Sequence, residues 1–269
     1  MTGTAVGFIL GPAAFAAGLV VGSFLNVVIL RGRRGETLGG RSHCDACRIV
    51  LKAHELIPVV SYITQKGRCR HCGAAFSVQH PIVELGCAAA YVGAAWALFS
   101  YAPESALLLA CIAFPAIAAL IVLIVSDIRF QILPDGAVAV LALAGLAASA
   151  LRGNVLYDLG TALVMALFLA ALWFFSEGAW MGFGDVKLVF ATSLAVGFPS
   201  SIAAFLAAFW LGGLLGLILL VAGKKNMQSR IPFGPFLIVG ALTAYVLSPS
   251  FFAYTGLSRL SIFQLGGIL

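Results

Sequence analysis

The chain alternates long uncharged runs with short polar segments. Five uncharged runs are residues 5–30, 85–103, 106–125, 136–151 and 159–176. A further run, 188–223, is too long for one membrane span, so we expect two helices joined by a turn at residues 197–201. The first of these would begin near Ala179, and a last helix would begin near residue 231. Because about 20 apolar residues cross a bilayer, the pattern predicts an all-α polytopic membrane protein with about eight transmembrane helices.

Composition supports a membrane protein and excludes an ordinary soluble domain. Of the 269 residues, 62% are hydrophobic and only 10% are charged, whereas soluble domains carry about a quarter charged residues. The net charge of +6 is concentrated, since residues 31–81 hold nine of the 16 basic side chains and only three acidic ones. Membrane proteins concentrate Lys and Arg on their cytoplasmic side. We therefore expect the lipid bilayer as a partner and no nucleic acid.

The positions of the basic residues predict the orientation. The first apolar run has no basic residue before it and several arginines after it. This places the N-terminus outside and the next loop in the cytoplasm, and it is not the pattern of a cleavable signal peptide. With the predicted helices oriented in this way, 14 of the 16 basic residues face the cytoplasm, and Arg152 and Arg259 lie outside. We therefore divide the chain into a first transmembrane helix (1–30), a cytoplasmic loop (31–81) and a transmembrane domain (82–269).

The cytoplasmic loop contains two C-x-x-C pairs, Cys44 with Cys47 and Cys69 with Cys72, separated by 21 residues. Four thiolates at this spacing can meet at one tetrahedral point, close to the spacing of zinc ribbons. The alternatives are two disulfides, which a reducing cytoplasm disfavours, or a redox C-x-x-C, which the duplicated motif disfavours. A loop with so little apolar content also needs a metal to stay ordered. We expect one structural zinc ion held by the four cysteines.

Two aspartates at the ends of apolar runs are the candidates for chemistry. Asp185 lies in Gly182-Phe183-Gly184-Asp185, where glycines permit a non-helical backbone just before a helix begins. Asp127 ends a different apolar run on the same side of the membrane. Ionisable groups at this depth are costly and are functional candidates by default. We therefore predict that the two carboxylates work as a pair.

Another interpretation of these aspartates stays open from the residues alone. Each is followed two residues later by a basic side chain, Arg129 or Lys187. Both aspartates could merely cap helices and pair with those bases, and the same bases could limit the repulsion between two carboxylates. Asp135 opens the next predicted helix, where N-capping is the commonest role of an aspartate, so we rank it below Asp127 for chemistry.

These motifs together resemble the type 4 prepilin peptidase family, and the match extends from Gly22 to about Phe236. In chain order the matching stretches are Gly22-Ser23-Phe24-Leu25-Asn26-Val27-Val28, Ser42 with Cys44 and Cys47, Ile57-Pro58-Val59-Val60-Ser61-Tyr62, Gly67-Arg68-Cys69 with Cys72, Pro81-Ile82-Val83-Glu84, Asp127 before Leu133-Pro134-Asp135, Gly182 with Gly184-Asp185-Val186-Lys187, and Ile231-Pro232-Phe233-Gly234-Pro235. Any one of them is weak evidence, whereas their common order along one chain is highly specific.

The resemblance implies a GxGD-type aspartyl protease of the bacterial inner membrane, with its active site at the cytoplasmic face. Members of the family cut the short basic leader from type IV prepilins or type II secretion pseudopilins. Many also methylate the new N-terminus with S-adenosylmethionine. The positions that match the catalytic aspartates are Asp127 and Asp185. Residues 82–269 would then be the protease domain, and the expected cofactors are structural zinc and S-adenosylmethionine.

Other functions fit part of the same sequence. A peptidase without methyltransferase activity would carry the same aspartates. A presenilin-like intramembrane protease also uses a Gly-x-Gly-Asp aspartate but does not need the double C-x-x-C loop. A transporter with a proton relay would place its carboxylates near the bilayer midplane and show internal repeats. A membrane adaptor organised by zinc would leave the paired aspartates unexplained.

Overall fold

The computed structural model describes residues 3–223 and 232–246, and within them every regular element other than two isolated β-bridges is helical. The helices are α1 (Gly3–Arg34), α2 (Val60–Thr64), α3 (Gln79–Tyr101), α4 (Ala106–Phe130), α5 (Asp135–Arg152), α6 (Val155–Phe175), α7 (Phe183–Val196), α8 (Ser200–Val221) and α9 (Gly234–Val246). The all-helical prediction is confirmed. Two expectations, the outward placement of Arg259 and the helix start near residue 231, fall outside the described residues.

Six of these helices are long and apolar enough to cross a membrane, namely α1, α3, α4, α5, α6 and α8. The other two predicted spans correspond to α7 and α9, which have 14 and 13 residues. At 1.5 Å per residue the described part of each spans about 20 Å, less than the roughly 30 Å hydrocarbon core. Helix α7 begins at Phe183 rather than near Ala179, because Gly182 has an extended backbone and forms the N-cap.

The N-terminal unit, Met1–Ala110, is built on the packing of α1 against α3. A Cβ atom on Gly22 would lie 2.7 Å from the Cα atom of Glu84, so the two helices approach as closely as a glycine permits. Buried Asn26 of α1 donates from Nδ2 to the carbonyl oxygen of His80, at 3.2 Å. Small residues at helix contacts and amide side chains between helices are typical of membrane proteins.

The C-terminal unit, Cys111–Leu269, is organised around α7. This helix packs against α5, α6, α8 and α9, and nine of its 14 residues are buried. Gly145 of α5 makes one of these approaches possible, since a Cβ atom there would lie 2.7 Å from the backbone nitrogen of Ala195. Because neighbours surround α7, a displacement of this helix has to move the helices packed on it.

Candidate active site and cysteine cluster

Asp127 and Asp185 lie in the interior of the C-terminal unit. Asp127 is in the last turn of α4 and Asp185 is in the first turn of α7. Their exposed fractions are only 6% and 8%. The charge of Asp127 acts on the carboxyl group of Asp185, so the two side chains share one site. The structure therefore brings together the two aspartates that the sequence analysis paired.

Gly234 completes the surroundings of Asp127. It is the first residue of α9, and its backbone N–H donates to Oδ2 of Asp127 at 3.0 Å. A Cβ atom at this position would lie 2.6 Å from Oδ2 and 3.4 Å from Cδ2 of Leu188. Only glycine fits between the carboxylate and α7. The sequence analysis gave Gly234 no role, although a glycine between Pro232 and Pro235 at a helix start was a signal.

The non-helical backbone predicted just before α7 is present at Gly182 but not at Gly184. Gly182 has φ −80° and ψ 149°, an extended conformation that other residues also adopt. Gly184 is already helical, and a Cβ atom on it would lie 3.0 Å from Cδ1 of Leu133. Its missing side chain thus lets the link between α4 and α5 pack onto the start of α7. Close approach, rather than backbone freedom, explains the second glycine of the motif.

Lys187 pairs with Asp135 and not with the buried carboxylates. Its Nζ lies 2.5 Å from Oδ1 of Asp135 and 5.6 Å from the ring centroid of Phe183. Asp135 is the first residue of α5, whose N-cap is Pro134, so the predicted N-capping role of Asp135 is wrong. Both partners of this ion pair are exposed, and exposed pairs contribute little stability. The pair joins α5 to α7 beside the site.

Each C-x-x-C pair forms the same backbone turn. In the first, the N–H of Cys44 donates to Ile49 and the N–H of Arg48 donates to the carbonyl of Cys44. In the second, the N–H of Cys69 donates to Ala74 and the N–H of Gly73 donates to the carbonyl of Cys69. The residue after the second cysteine has positive φ in both turns, 60° at Arg48 and 72° at Gly73. The loop therefore contains two matching knuckles.

The knuckles bring the four cysteine sulfur atoms to one point. All four lie within 4.8 Å of one another, and the pairs Cys44–Cys72 and Cys47–Cys69 are 3.8 and 4.0 Å apart. Thiolates 2.3 Å from a tetrahedral zinc ion are about 3.8 Å from each other, so these residues fit the metal.

A cleft of about 170 Å³ lies in the N-terminal unit beside this cluster. Its lining includes the carboxylates of Glu55 and Glu84 and the ring of Tyr62. The backbone N–H of Lys52 donates to Glu55 at 2.8 Å and lowers the pKa of that carboxyl group. The N–H of Val59 donates to Glu84 at 2.7 Å. The acidic groups of the cleft are thus held in place by backbone donors.

Comparison with known proteins identifies the family of this chain. Residues 16–98 match the family described as Bacterial Peptidase A24 N-terminal domain, and residues 114–217 match the Type IV leader peptidase family. A prepilin leader peptidase/N-methyltransferase of Burkholderia pseudomallei strain 1026b is 32% identical, over 90% of this chain and 87% of that protein. This chain belongs to the type IV leader peptidase family. The resemblance inferred from the motifs is confirmed.

Other relatives of the type IV leader peptidase family carry the same name. The Bacillus subtilis strain 168 protein is 31% identical over 89% of this chain and 95% of its own length. The Legionella pneumophila protein is 30% identical over 84% of this chain and 87% of its own length. No solved structure gave a significant match. With six long apolar helices among its described residues, the chain is a multi-pass membrane protein of this bacterial peptidase family.

The close contact at Gly234 predicts a stability effect. The added methyl group of Gly234→Ala overlaps the Asp127 carboxylate, so we expect a loss of about 1–3 kcal/mol in the free energy of unfolding. Thermal unfolding in detergent measures it. Gly160→Ala in α6 is the control, because a Cβ atom there has open space and alanine favours a helix. Equal melting temperatures for Gly234→Ala and the unchanged protein would contradict the packing.

Proposed function

We propose that this chain is a prepilin leader peptidase in which Asp127 and Asp185 form the catalytic dyad. The observation that supports it most directly is the burial of two carboxylates, from α4 and α7, at one site. Paired buried carboxylates are uncommon in apolar helices and mark functional sites. The names of the relatives indicate prepilins as the class of substrate. A proton relay in a transporter has no comparable support.

The proposed chemistry is hydrolysis of a peptide bond by two carboxyl groups that share one proton. Two carboxylates in one apolar site hold a single proton between them because both do not ionise at close range. The ionised member takes a proton from water as the water oxygen attacks the scissile carbonyl carbon, and the protonated member donates to the carbonyl oxygen. The tetrahedral intermediate collapses when the C–N bond breaks: the leaving amine takes a proton from the protonated carboxyl group, and a hydroxyl proton of the intermediate passes to the ionised one, so the dyad again holds one proton. Gly234 engages Oδ2 of Asp127, which leaves Oδ1 for the water.

The proposed substrates are type IV prepilins or type II secretion pseudopilins. Such a substrate has a basic leader followed by an apolar helix, which would lie among the transmembrane helices with its scissile bond at the membrane surface. The basic loop 31–81 supports a cytoplasmic position for this face and an external N-terminus. On that basis residues 1–30 are a first transmembrane helix and residues 82–269 the protease domain in the inner membrane.

We also propose that the four cysteines Cys44, Cys47, Cys69 and Cys72 hold a structural zinc ion. Their common point of convergence favours one four-ligand site over two separate disulfides. The ion would close a tetrahedral shell without an open position, as in structural rather than catalytic zinc sites. Its contribution would be to the folding of the loop, whose residues have few apolar partners.

The second proposed activity is methylation of the new N-terminus, with the cleft of the N-terminal unit as the site for S-adenosylmethionine. This donor is cationic at its sulfonium and amino groups, and the cleft offers Glu55 and Glu84. The neighbouring arginines are already engaged, since Arg31 donates to loop carbonyls and Arg34 pairs with Asp45. Four acidic and two basic residues line the cleft, and this excess of negative charge favours a cation.

Backbone strain beside the cleft gives further support. Val59 has φ 62°, a conformation that a β-branched residue rarely adopts. Its N–H donates to the carboxylate of Glu84. The strained residue therefore supplies the hydrogen bond that orients this carboxylate. Strain of this kind is typical of ligand sites.

The dyad is tested by removing one ionisable group at a time. Asp127→Asn and Asp185→Asn keep the size of the side chain but cannot exchange a proton, so each should reduce cleavage of a prepilin by at least about a thousand-fold. Purified protein in detergent, a prepilin and gel separation of the products are sufficient. Melting temperature and zinc content should change little.

Asp135→Asn is the matched control, because Asp135 lies beside the site but pairs with Lys187 at the surface. It should lower activity by only a few-fold. Near-normal cleavage by Asp127→Asn together with loss of cleavage by Asp135→Asn would reassign the dyad to Asp135 and Asp185.

The zinc proposal predicts about one equivalent of zinc in purified protein. Replacing Cys44 or Cys69 by serine should remove it and make the loop sensitive to proteolysis, because the ion holds the two knuckles together. Cys111→Ser is the control, since Cys111 lies exposed in α4. Metal-free protein with two intact disulfides would reject the proposal.

The methyl-donor site is tested with Glu84→Gln, which removes a negative charge from the cleft. We expect at least about ten-fold weaker binding of radiolabelled S-adenosylmethionine and loss of the added methyl group in mass spectra of the mature pilin, while leader cleavage continues. Glu104→Gln, at an exposed position between α3 and α4, is the charge-matched control. If unchanged protein cleaves the substrate but never methylates it, the chain is a peptidase alone.

A further inference from the structure

A second buried group of charges lies at the end of α7 opposite Asp185. Asp158, in the first turn of α6, is 1% exposed. Its Oδ2 accepts from Ser149 Oγ at 2.7 Å and from Arg152 Nη2 at 2.9 Å, and its Oδ1 accepts from the N–H of Phe198 at 2.7 Å. We call these four residues the Arg152 cluster. All of its polar contacts are made within the C-terminal unit.

The Arg152 cluster caps the C-terminal end of α7. The last carbonyls of a helix have no partner within it and favour a cation. Arg152 donates from Nη2 to the carbonyl of Leu194 at 2.8 Å and from Nη1 to that of Ala195 at 3.1 Å. Between them and Phe198 lies Gly197, with φ 82°, where a Cβ atom would be 2.8 Å from Nη2. The backbone at this turn is therefore shaped around the guanidinium.

We propose that the Arg152 cluster is a positioning device for the catalytic dyad. Helix α7 carries Asp185 in its first turn and the capped carbonyls in its last, about 14 Å along the axis at 1.5 Å per residue. Arg152 ties the last turn to α5, while Asp158 ties the residue after the turn to α6. The cluster thereby sets the depth and rotation of α7, and with them the place of Asp185 beside Asp127. This inference rests on the proposed catalytic role of Asp185.

The choice of residues supports positioning over simple helix termination. Charged groups inside an apolar bundle are costly unless paired, and a glycine alone can end a helix. Here an arginine, an aspartate and a serine interact at the end of one short helix. The planar guanidinium of the arginine supplies two directed donors. Directed donors restrict both translation and rotation of α7, whereas apolar packing restricts them less sharply.

The test compares two variants of the cluster with one control on the same helix. Asp158→Asn leaves the guanidinium without its counter-charge, and Arg152→Lys keeps the charge but loses the two-pronged donation to α7. Thr192→Val is the control, because Thr192 bonds only to carbonyls of its own helix, those of Leu188 and Val189. Steady-state cleavage of a prepilin is measured well below the unfolding transition of each protein.

We expect kcat to fall about 10- to 100-fold in both cluster variants, since errors near 1 Å at a catalytic group cost up to about 100-fold. KM should stay within about two-fold, because no substrate contact changes. Thr192→Val should cleave normally. If Asp158→Asn does not accumulate, Arg152→Lys alone decides the result.

A lowered melting temperature with unchanged kcat in Arg152→Lys would overturn the inference and leave the cluster a stabilising element only. A rise in KM with unchanged kcat would overturn it as well, since it would place the effect on substrate binding. Failure of the dyad itself has a separate signature, continued cleavage by Asp185→Asn. The two ideas therefore fail in different measurements.

Discussion

Two carboxylates placed among apolar helices impose the constraint on which the C-terminal unit depends. A buried charge without partners is costly, so each group has to be met by donors or by another titratable group. Asp127 receives the first N–H of α9, and Asp185 lies in the first turn of α7, where the helix dipole favours a negative charge. Two helix N-termini thus point toward the place where negative charge resides.

Close packing at glycines fixes these helix ends. Gly234 and Gly184 each stand where a methyl group would meet a neighbour, the first at Asp127 and the second at Leu133. Such contacts leave little freedom because a well-packed interior resists small displacements. At the far end of α7, Arg152 performs the corresponding task with directed hydrogen bonds. Asp185 and the carbonyls bound by Arg152 consequently lie at the two ends of the same helix.

The N-terminal unit solves a different problem. The loop between α1 and α3 buries few apolar residues, so hydrophobic packing contributes little order there. Two knuckles of matching backbone geometry bring Cys44, Cys47, Cys69 and Cys72 together instead. Buried Asn26 and the close contact at Gly22 join the two long helices that flank the loop. The cleft with Glu55 and Glu84 is a consequence of this frame.

The sequence by itself predicted the six long helices, the family and the cysteine cluster, and it paired Asp127 with Asp185, which the structure brings together. Uncharged runs of membrane length, C-x-x-C pairs and sequence motifs are local features, so each can be recognised within a single segment. Prediction from single segments failed where the interacting residues come from distant parts of the chain. It placed Lys187 near the buried carboxylates, but the side chain reaches Asp135. It assigned no role to Gly234 and none to the Arg152 cluster. Those contacts exist only once α5, α6, α7 and α9 are packed together, because hydrogen bonds and close approaches between helices depend on relative rotation and depth, which no single segment encodes.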